Sequence, residues 1–146
     1  MKIINKKAKF NYQLLDRLET GIVLTGAEVK SVKLGHLSLS EAYVRIIDSQ
    51  LYLLNAHISP YQFASQKDYD PQRSRKLLIS KKQLLHLSQK LETQNLALVP
   101  TAIYTKGSLI KLEIALARGK KEYQKREAKK KLDTNRQIQK ALKDFK

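Results

Sequence analysis

Few side chains in this sequence have the types and spacing that bond-breaking chemistry needs. The three histidines, His36, His57 and His86, share no HxxxH or similar ligand spacing, and each is read as a surface or half-buried packing residue. Asp68 and Asp70 flank Tyr69, and two loop carboxylates can hold a divalent ion; a solvated loop ordered beside Arg73 and Arg75 is the better reading. Glu19 and Glu28 stand as isolated acids without a recognisable acid–base partner. Gly119-Lys120-Lys121 matches the end of a phosphate loop, but the upstream glycine spacing is missing, which excludes a P-loop. The absence of cysteine removes disulfides and thiolate metal sites. No catalytic residue, no metal site and no cofactor is expected, and the chain is not read as an enzyme.

The chemistry that is plentiful is that of binding a polyanion. The 146-residue chain carries 29 Lys and Arg against 13 Asp and Glu, a net +16, with pI near 10. Such a balance points first to nucleic acid, because phosphate contacts release counterions. Between Arg118 and Lys146 twelve basic residues face four acidic ones, a net +8, so half of the excess charge lies in the last fifth of the chain. That segment has too little apolar surface to fold alone. Helical spacing nevertheless aligns Ala128, Leu132, Ile138, Leu142 and Phe145, so it is read as an arm that orders on RNA, the plainer alternative being a solvated basic tail. Anionic membrane is the competing polyanion, but the stripe is thin and the chain has no Trp. No apolar run approaches the ~18 residues of a membrane span, and no signal-peptide core opens the chain, so a cytoplasmic protein with no membrane partner is expected. Seven tyrosines interleave with the basic residues and can stack on exposed bases. Strand packing explains most of them, whereas Tyr123 sits in the basic run GKKEYQKR, suited to stacking.

The elements that must position these groups are mostly short strands. Met1 to Lys9 reads as a flexible or loosely docked arm, and Phe10 to Leu18 as a strand or short helix. Glu19-Thr20-Gly21 reads as a turn before a short strand at Ile22 to Leu24. Ala27 to Leu34 suits a short helix with Ala27 and Val29 inward, Lys30 and Lys33 outward, and Gly35 as its C′ residue. Alternation from Leu37 to Asp48 predicts a strand, with a turn at Asp48-Ser49 and a hairpin partner over Leu51 to Ile58. Ser59 to Ser74 is a long polar loop. Lys76 to Ile79 is apolar after its first residue, and Ser80 caps a helix over Lys81 to Gln89. Leu96 to Tyr104 is a strand with an edge or bulge at Pro100, and Lys106-Gly107-Ser108 turns into a last strand, Leu109 to Ala117. The fold class expected is therefore mainly β: an OB-like antiparallel barrel of about six strands with two or three short helices, over residues 1–117, followed by a basic tail, 118–146.

Six blocks in order carry a resemblance: NKKAKFNY at Asn5 to Tyr12, ETGIVLTGAEVKS at Glu19 to Ser31, YLLNAHISPY at Tyr52 to Tyr61, DPQRSRKLLI at Asp70 to Ile79, ALVP at Ala97 to Pro100, and GKKEYQKRE at Gly119 to Glu127. Together they resemble the small protein B family, the SsrA-binding proteins of bacterial trans-translation. The resemblance implies an OB-like barrel that binds the tRNA-like domain of transfer-messenger RNA and brings that RNA to stalled ribosomes. It also implies a tail that is disordered when free and helical in the ribosome. There the tail meets small-subunit rRNA at the decoding centre and in the empty mRNA channel, permitting tagging and rescue. Elongation factor Tu is an expected indirect partner through the RNA, and a monomer is expected. The implied transfer-messenger RNA contacts are Glu19, Lys30, Lys33, Arg73, Arg75, Lys76, Leu78, Ser80 and Lys111. For Leu77 and Leu78 core packing is an equal reading. The implied decoding-centre and channel residues are Gly119, Lys120, Lys121, Tyr123, Lys125, Arg126, Lys129, Lys130 and Lys131. Gln124 stands where the family usually has Asp, Ser80 where Asn or His is common, and Thr20 where Ala is usual. Two other classes stay open: a structural ribosome-associated OB protein, and a basic hydrolase acting on RNA.

Overall fold

A computed structural model of the chain describes residues 1–65, 67–120 and 122–144. In chain order the elements are β1 (Lys2–Ile4), α1 (Lys6–Asn11), β2 (Tyr12–Ile22), α2 (Gly26–Lys33), β3 (Leu37–Ser38), β4 (Tyr43–Ile47), β5 (Gln50–Leu54), β6 (His57–Ile58), β7 (Arg75–Leu78), α3 (Lys81–Gln94), β8 (Ala97–Lys106), β9 (Leu109–Gly119) and α4 (Glu122–Asp144). Six strands close a ring in the order β8-β4-β5-β7-β2-β9, with β9 returning to β8; every pairing is antiparallel. This is the OB-like barrel expected from the turn-rich, alternating sequence. β3 and β6 form a separate two-stranded sheet.

Period-two alternation decides which side chains fill the ring. Ile110, Leu112, Ile114 and Leu116 of β9 turn inward and are buried, whereas Lys111 and Glu113 between them stay half-exposed. Leu51 and Leu53 of β5 and Leu77 of β7 meet them, and Leu87 closes the core from α3. α3 runs five residues past the expected end, because Ser80 and Gln83 form a complete capping box and Asn95 ends the helix in the left-handed region.

Four local expectations are corrected. The N-terminal arm is not loose: β1 pairs with β8, and buried Asn5 ties the arm into the barrel. Its amide nitrogen donates to the carbonyls of Pro100 (2.8 Å) and Leu39 (3.2 Å), while its oxygen caps α1 at the Ala8 amide. Glu19-Thr20-Gly21 does not turn; it continues β2, where Thr20 donates to the Leu112 carbonyl at 2.9 Å and Gly21 lies opposite Lys111 and Leu78. The strand expected over Leu37 to Asp48 breaks at Leu39, whose carbonyl takes the Ala42 amide, so that β3 and β4 serve different sheets. In α2 the inward positions are Glu28, Ser31 and Val32, with Ala27 and Val29 only half-buried. The bulge expected at Pro100 is present, as a register shift between Pro100 and Ala102. Among the described residues no helix is long and apolar enough to cross a membrane.

Candidate RNA-binding surface and C-terminal helix

Strand register lays a band of side chains across the outside of the barrel. Tyr52 of β5 lies opposite Arg45 of β4 and Lys76 of β7; Gly21 of β2 lies opposite Leu78 of β7 and Lys111 of β9; Lys111 lies opposite Tyr104 of β8. Alternation in the short RKLL strand separates the two leucines: Leu77 is core, while Leu78 is 52% exposed between flanking lysines. The glycine opposite makes this packing possible, since a Cβ on Gly21 would stand 3.2 Å from the Leu78 Cβ.

Glu19 sits at the end of the band, directly across from Glu113. Tyr104 donates to Glu19 Oε2 at 2.5 Å and Lys106 to Oε1 at 3.4 Å. The Tyr104 hydroxyl is the main cause that holds the Glu19 carboxyl below its ordinary range; desolvation opposes it, and Lys106 and Lys111 add smaller contributions in the same direction as Tyr104. Tyr104 is pushed up to about 12, by desolvation first and by the Glu19 bond next, so its proton stays in place as a donor. Glu113 is engaged likewise, accepting from Thr101 at 2.8 Å and from Arg17 at 3.3 Å. No local signal marks the Tyr104–Glu19 contact, because the partners lie 85 residues apart and only the strand pairing joins them.

A second cluster forms where the long loop returns to the barrel. Glu28, far from isolated, is buried in α2 and accepts from Arg73 (2.5 Å) and Arg75 (2.7 Å) while its Oε1 also takes the Thr25 amide in a capping box. Burial pushes this carboxyl up, but the bonds from Arg73, the Thr25 amide and Arg75 together outweigh it and leave it below its ordinary value. Arg75 is fully buried and spends its remaining donors on the carbonyls of Ala56, Arg73 and Pro71. It is therefore corrected from an RNA contact to a framework residue, since a guanidinium so enclosed presents nothing to a phosphate. Asp70 caps its own turn by accepting the Gln72 amide, and the loop is ordered beside Arg73 and Arg75.

The other expected contacts fall on the surface. Lys30 and Lys33 are exposed on the last turns of α2, Lys76 is exposed, Arg73 keeps 40% of its side chain accessible, and Lys111 is half-exposed. Ser80 is exposed, but its hydroxyl is committed to the α3 cap.

The start of the C-terminal helix is tied down. The Lys120 amide donates to the Asn11 carbonyl at 3.0 Å and its Nζ to the Lys9 carbonyl at 3.1 Å, just after Gly119 ends β9. α4 then runs as one helix in which Arg126, Lys129, Lys130 and Lys131 are exposed and Lys125 is half-buried. Leu132 and Ile138 of the apolar stripe are 52% and 53% exposed. Lys121, the side chains of Tyr123, Ala128 and Leu142, and Phe145 lie outside the described residues. Among the described residues no three His, Asp or Glu are grouped to hold a metal ion.

The family model described as SmpB protein matches residues 2–144. An SsrA-binding protein of Syntrophotalea carbinolica is 44% identical over 99% of this chain and 97% of its own length. Another, from Sulfurihydrogenibium sp., is 46% identical over 95% of this chain and 91% of its own. A solved chain described as "tmRNA-SmpB: a journey to the center of the bacterial ribosome" has TM-score 0.69 and 40% identity, covering 83% of this chain and 85% of that one.

Proposed function

The chain belongs to the SmpB protein family, and on that footing we propose that it binds transfer-messenger RNA for trans-translation. The barrel captures the tRNA-like domain, and the C-terminal helix engages the stalled ribosome. The observation that carries this reading is the outer band: exposed Leu78 over Gly21, between Lys76 and Lys111, ending at an ionised Glu19 held by Tyr104. A carboxylate on a surface that meets RNA repels phosphate, so it accepts only from donors such as a base amino group or a 2′-hydroxyl. Lysines to either side supply phosphate attraction without sequence preference. The band thus combines general attraction with one group that selects. Lys30, Lys33 and the free part of Arg73 extend the positive surface, while Arg75 and Ser80 hold the elements that present it.

Gly119, Lys120, Lys121, Tyr123, Lys125, Arg126, Lys129, Lys130 and Lys131 form the part that enters the decoding centre and the empty message channel. The anchoring of Lys120 to α1 favours that reading, because it fixes the direction in which a basic helix leaves the barrel. Elongation factor Tu joins through the RNA, and the protein acts as a monomer.

The test is binding of the purified protein to a transfer-messenger RNA tRNA-like domain and to an ordinary tRNA at matched salt, with and without residues 118–146. A preference for the tRNA-like domain that survives removal of the tail is expected. Equal binding to both RNAs, lost with the tail, would reduce the protein to a basic arm and overturn the reading.

A further inference from the structure

The loop between β6 and β7 carries the most exposed large apolar side chain among the described residues. Phe63 is 78% exposed. It stands on a turn closed by the Ala64 amide donating to the Tyr61 carbonyl at 3.1 Å, and its ring meets Tyr61 edge-on, with centroids 5.5 Å apart and planes at 72°. Lys30 of α2 reaches over Tyr61, its Nζ 5.3 Å from the ring centroid. The ends of the loop are fastened: Tyr69 donates to the Ile58 carbonyl, Ile58 to the Pro71 carbonyl, and Arg75 to Pro71 and Arg73.

Burial cannot explain this ring, because it has almost none, and the loop's own fastening does not use it. With the ring 78% exposed and Tyr61 its edge-to-face neighbour, at least one face of Phe63 is open to a flat third group. The charges around it choose what that group is. Lys30 and Lys33 are exposed on the adjoining helix and Arg73 is half-exposed on the same loop, so an anionic partner with flat rings is favoured over an apolar peptide. We infer that Phe63, with Tyr61 and Lys30 behind it, is a stacking site for an unpaired nucleobase of the RNA that the barrel holds. This deepens the proposed function and rests on it.

The chain contains no tryptophan, so Phe63→Trp installs a single fluorescent reporter at the site while keeping a stacking face. With the full-length protein and the tRNA-like domain, quenching of that fluorescence on binding is expected, with affinity at least that of the natural chain. Phe63→Ala is expected to weaken binding roughly 5- to 150-fold with an unchanged salt slope, since stacking releases no counterions. Phe63→Leu is expected to resemble Phe63→Ala, because bulk without a π-face does not stack. Binding within twofold of the natural chain for Phe63→Ala, or fluorescence indifferent to RNA, overturns the inference. So does a Phe63→Ala chain that binds the RNA normally but associates less with ribosomes lacking that RNA, which would make Phe63 a protein contact. The natural chain is titrated in parallel with the tRNA-like domain and with ordinary tRNA. A lost preference there refutes the function proposed above, and a single-stranded oligoribonucleotide then still reads stacking by quenching of the Phe63→Trp chain.

Discussion

Replacing Arg75 by Lys distinguishes a framework from a contact. The guanidinium meets Glu28 with Nε at 2.7 Å and Nη2 at 2.6 Å, and donates to the carbonyls of Ala56, Arg73 and Pro71 at 2.9–3.0 Å. Lysine keeps the charge but offers one ammonium with three donors and no planar fork, so two or more of these buried acceptors are left without a partner. Each orphaned acceptor costs about 1–3 kcal/mol, which puts the loss at about 2–4 kcal/mol after relaxation. With an unfolding entropy of ~2 cal/mol/K per residue, a barrel of this size moves by about 4 °C per kcal/mol, so Tm should fall by about 8–16 °C. Thermal unfolding followed by circular dichroism gives the first number. RNA affinity measured well below the lowered Tm gives the second, and there it should stay within about twofold. A phosphate contact would show the opposite pattern, with Tm unmoved and affinity reduced about tenfold or with its salt slope flattened. That result would refute the framework argument outright.

Three further outcomes follow from the geometry. Glu28 has a depressed carboxyl, so its pairing contributes fully above the ordinary value of 4.5 and is lost as pH falls below it through the folded value; urea midpoints from pH 6 to pH 3 should drop in that window and drop less in a Glu28→Gln chain. Tyr104→Phe should leave Tm within a few degrees, return the Glu19 carboxyl toward its ordinary value in an NMR titration, and weaken capture of the tRNA-like domain several-fold; an unchanged carboxyl would show that the hydroxyl does not hold it. Asn5→Ala strips partners from two buried carbonyls and uncaps α1, so a loss of about 2–4 kcal/mol is expected by chemical denaturation, and a loss under about 0.5 kcal/mol would mean that the N-terminal arm is not latched there.

Alternation makes the barrel legible in the sequence: the β9 pattern and the turns at Asp48-Ser49 and Gly107 are local signals, and both turns adopt the positive φ that their residues tolerate. The surface was legible only in part. The resemblance supplied Glu19, Lys76, Leu78 and Lys111, yet Arg75, in the same RKLL strand as Lys76, is buried. No local rule predicts that, because its reason is Glu28, 47 residues earlier, on a helix whose inward face holds a carboxylate. Amphipathic patterning counts Glu as outward and so expected Ala27 and Val29 inside instead. Asn5 was missed for a similar reason: a polar residue among lysines reads as solvated until the carbonyls of Leu39 and Pro100 arrive to occupy it. Phe63 had no periodic pattern around it to mark it either as core or as surface.

The ring joins strands far apart in the chain, since β2 pairs with β9, and β1 is laid against β8 outside it. Contacts of that separation make folding slow, on the millisecond-to-second scale of barrels, and keep it from starting at the N-terminus. Glu19 leaves the synthesising ribosome 85 residues ahead of Tyr104, an interval of roughly 4–17 s at ~5–20 residues per second. Throughout that interval the carboxylate has neither its holder nor its neighbouring lysines. A nascent or truncated chain that lacks β9 cannot close the ring, so on the function proposed here capture begins as a single event when the last strand docks.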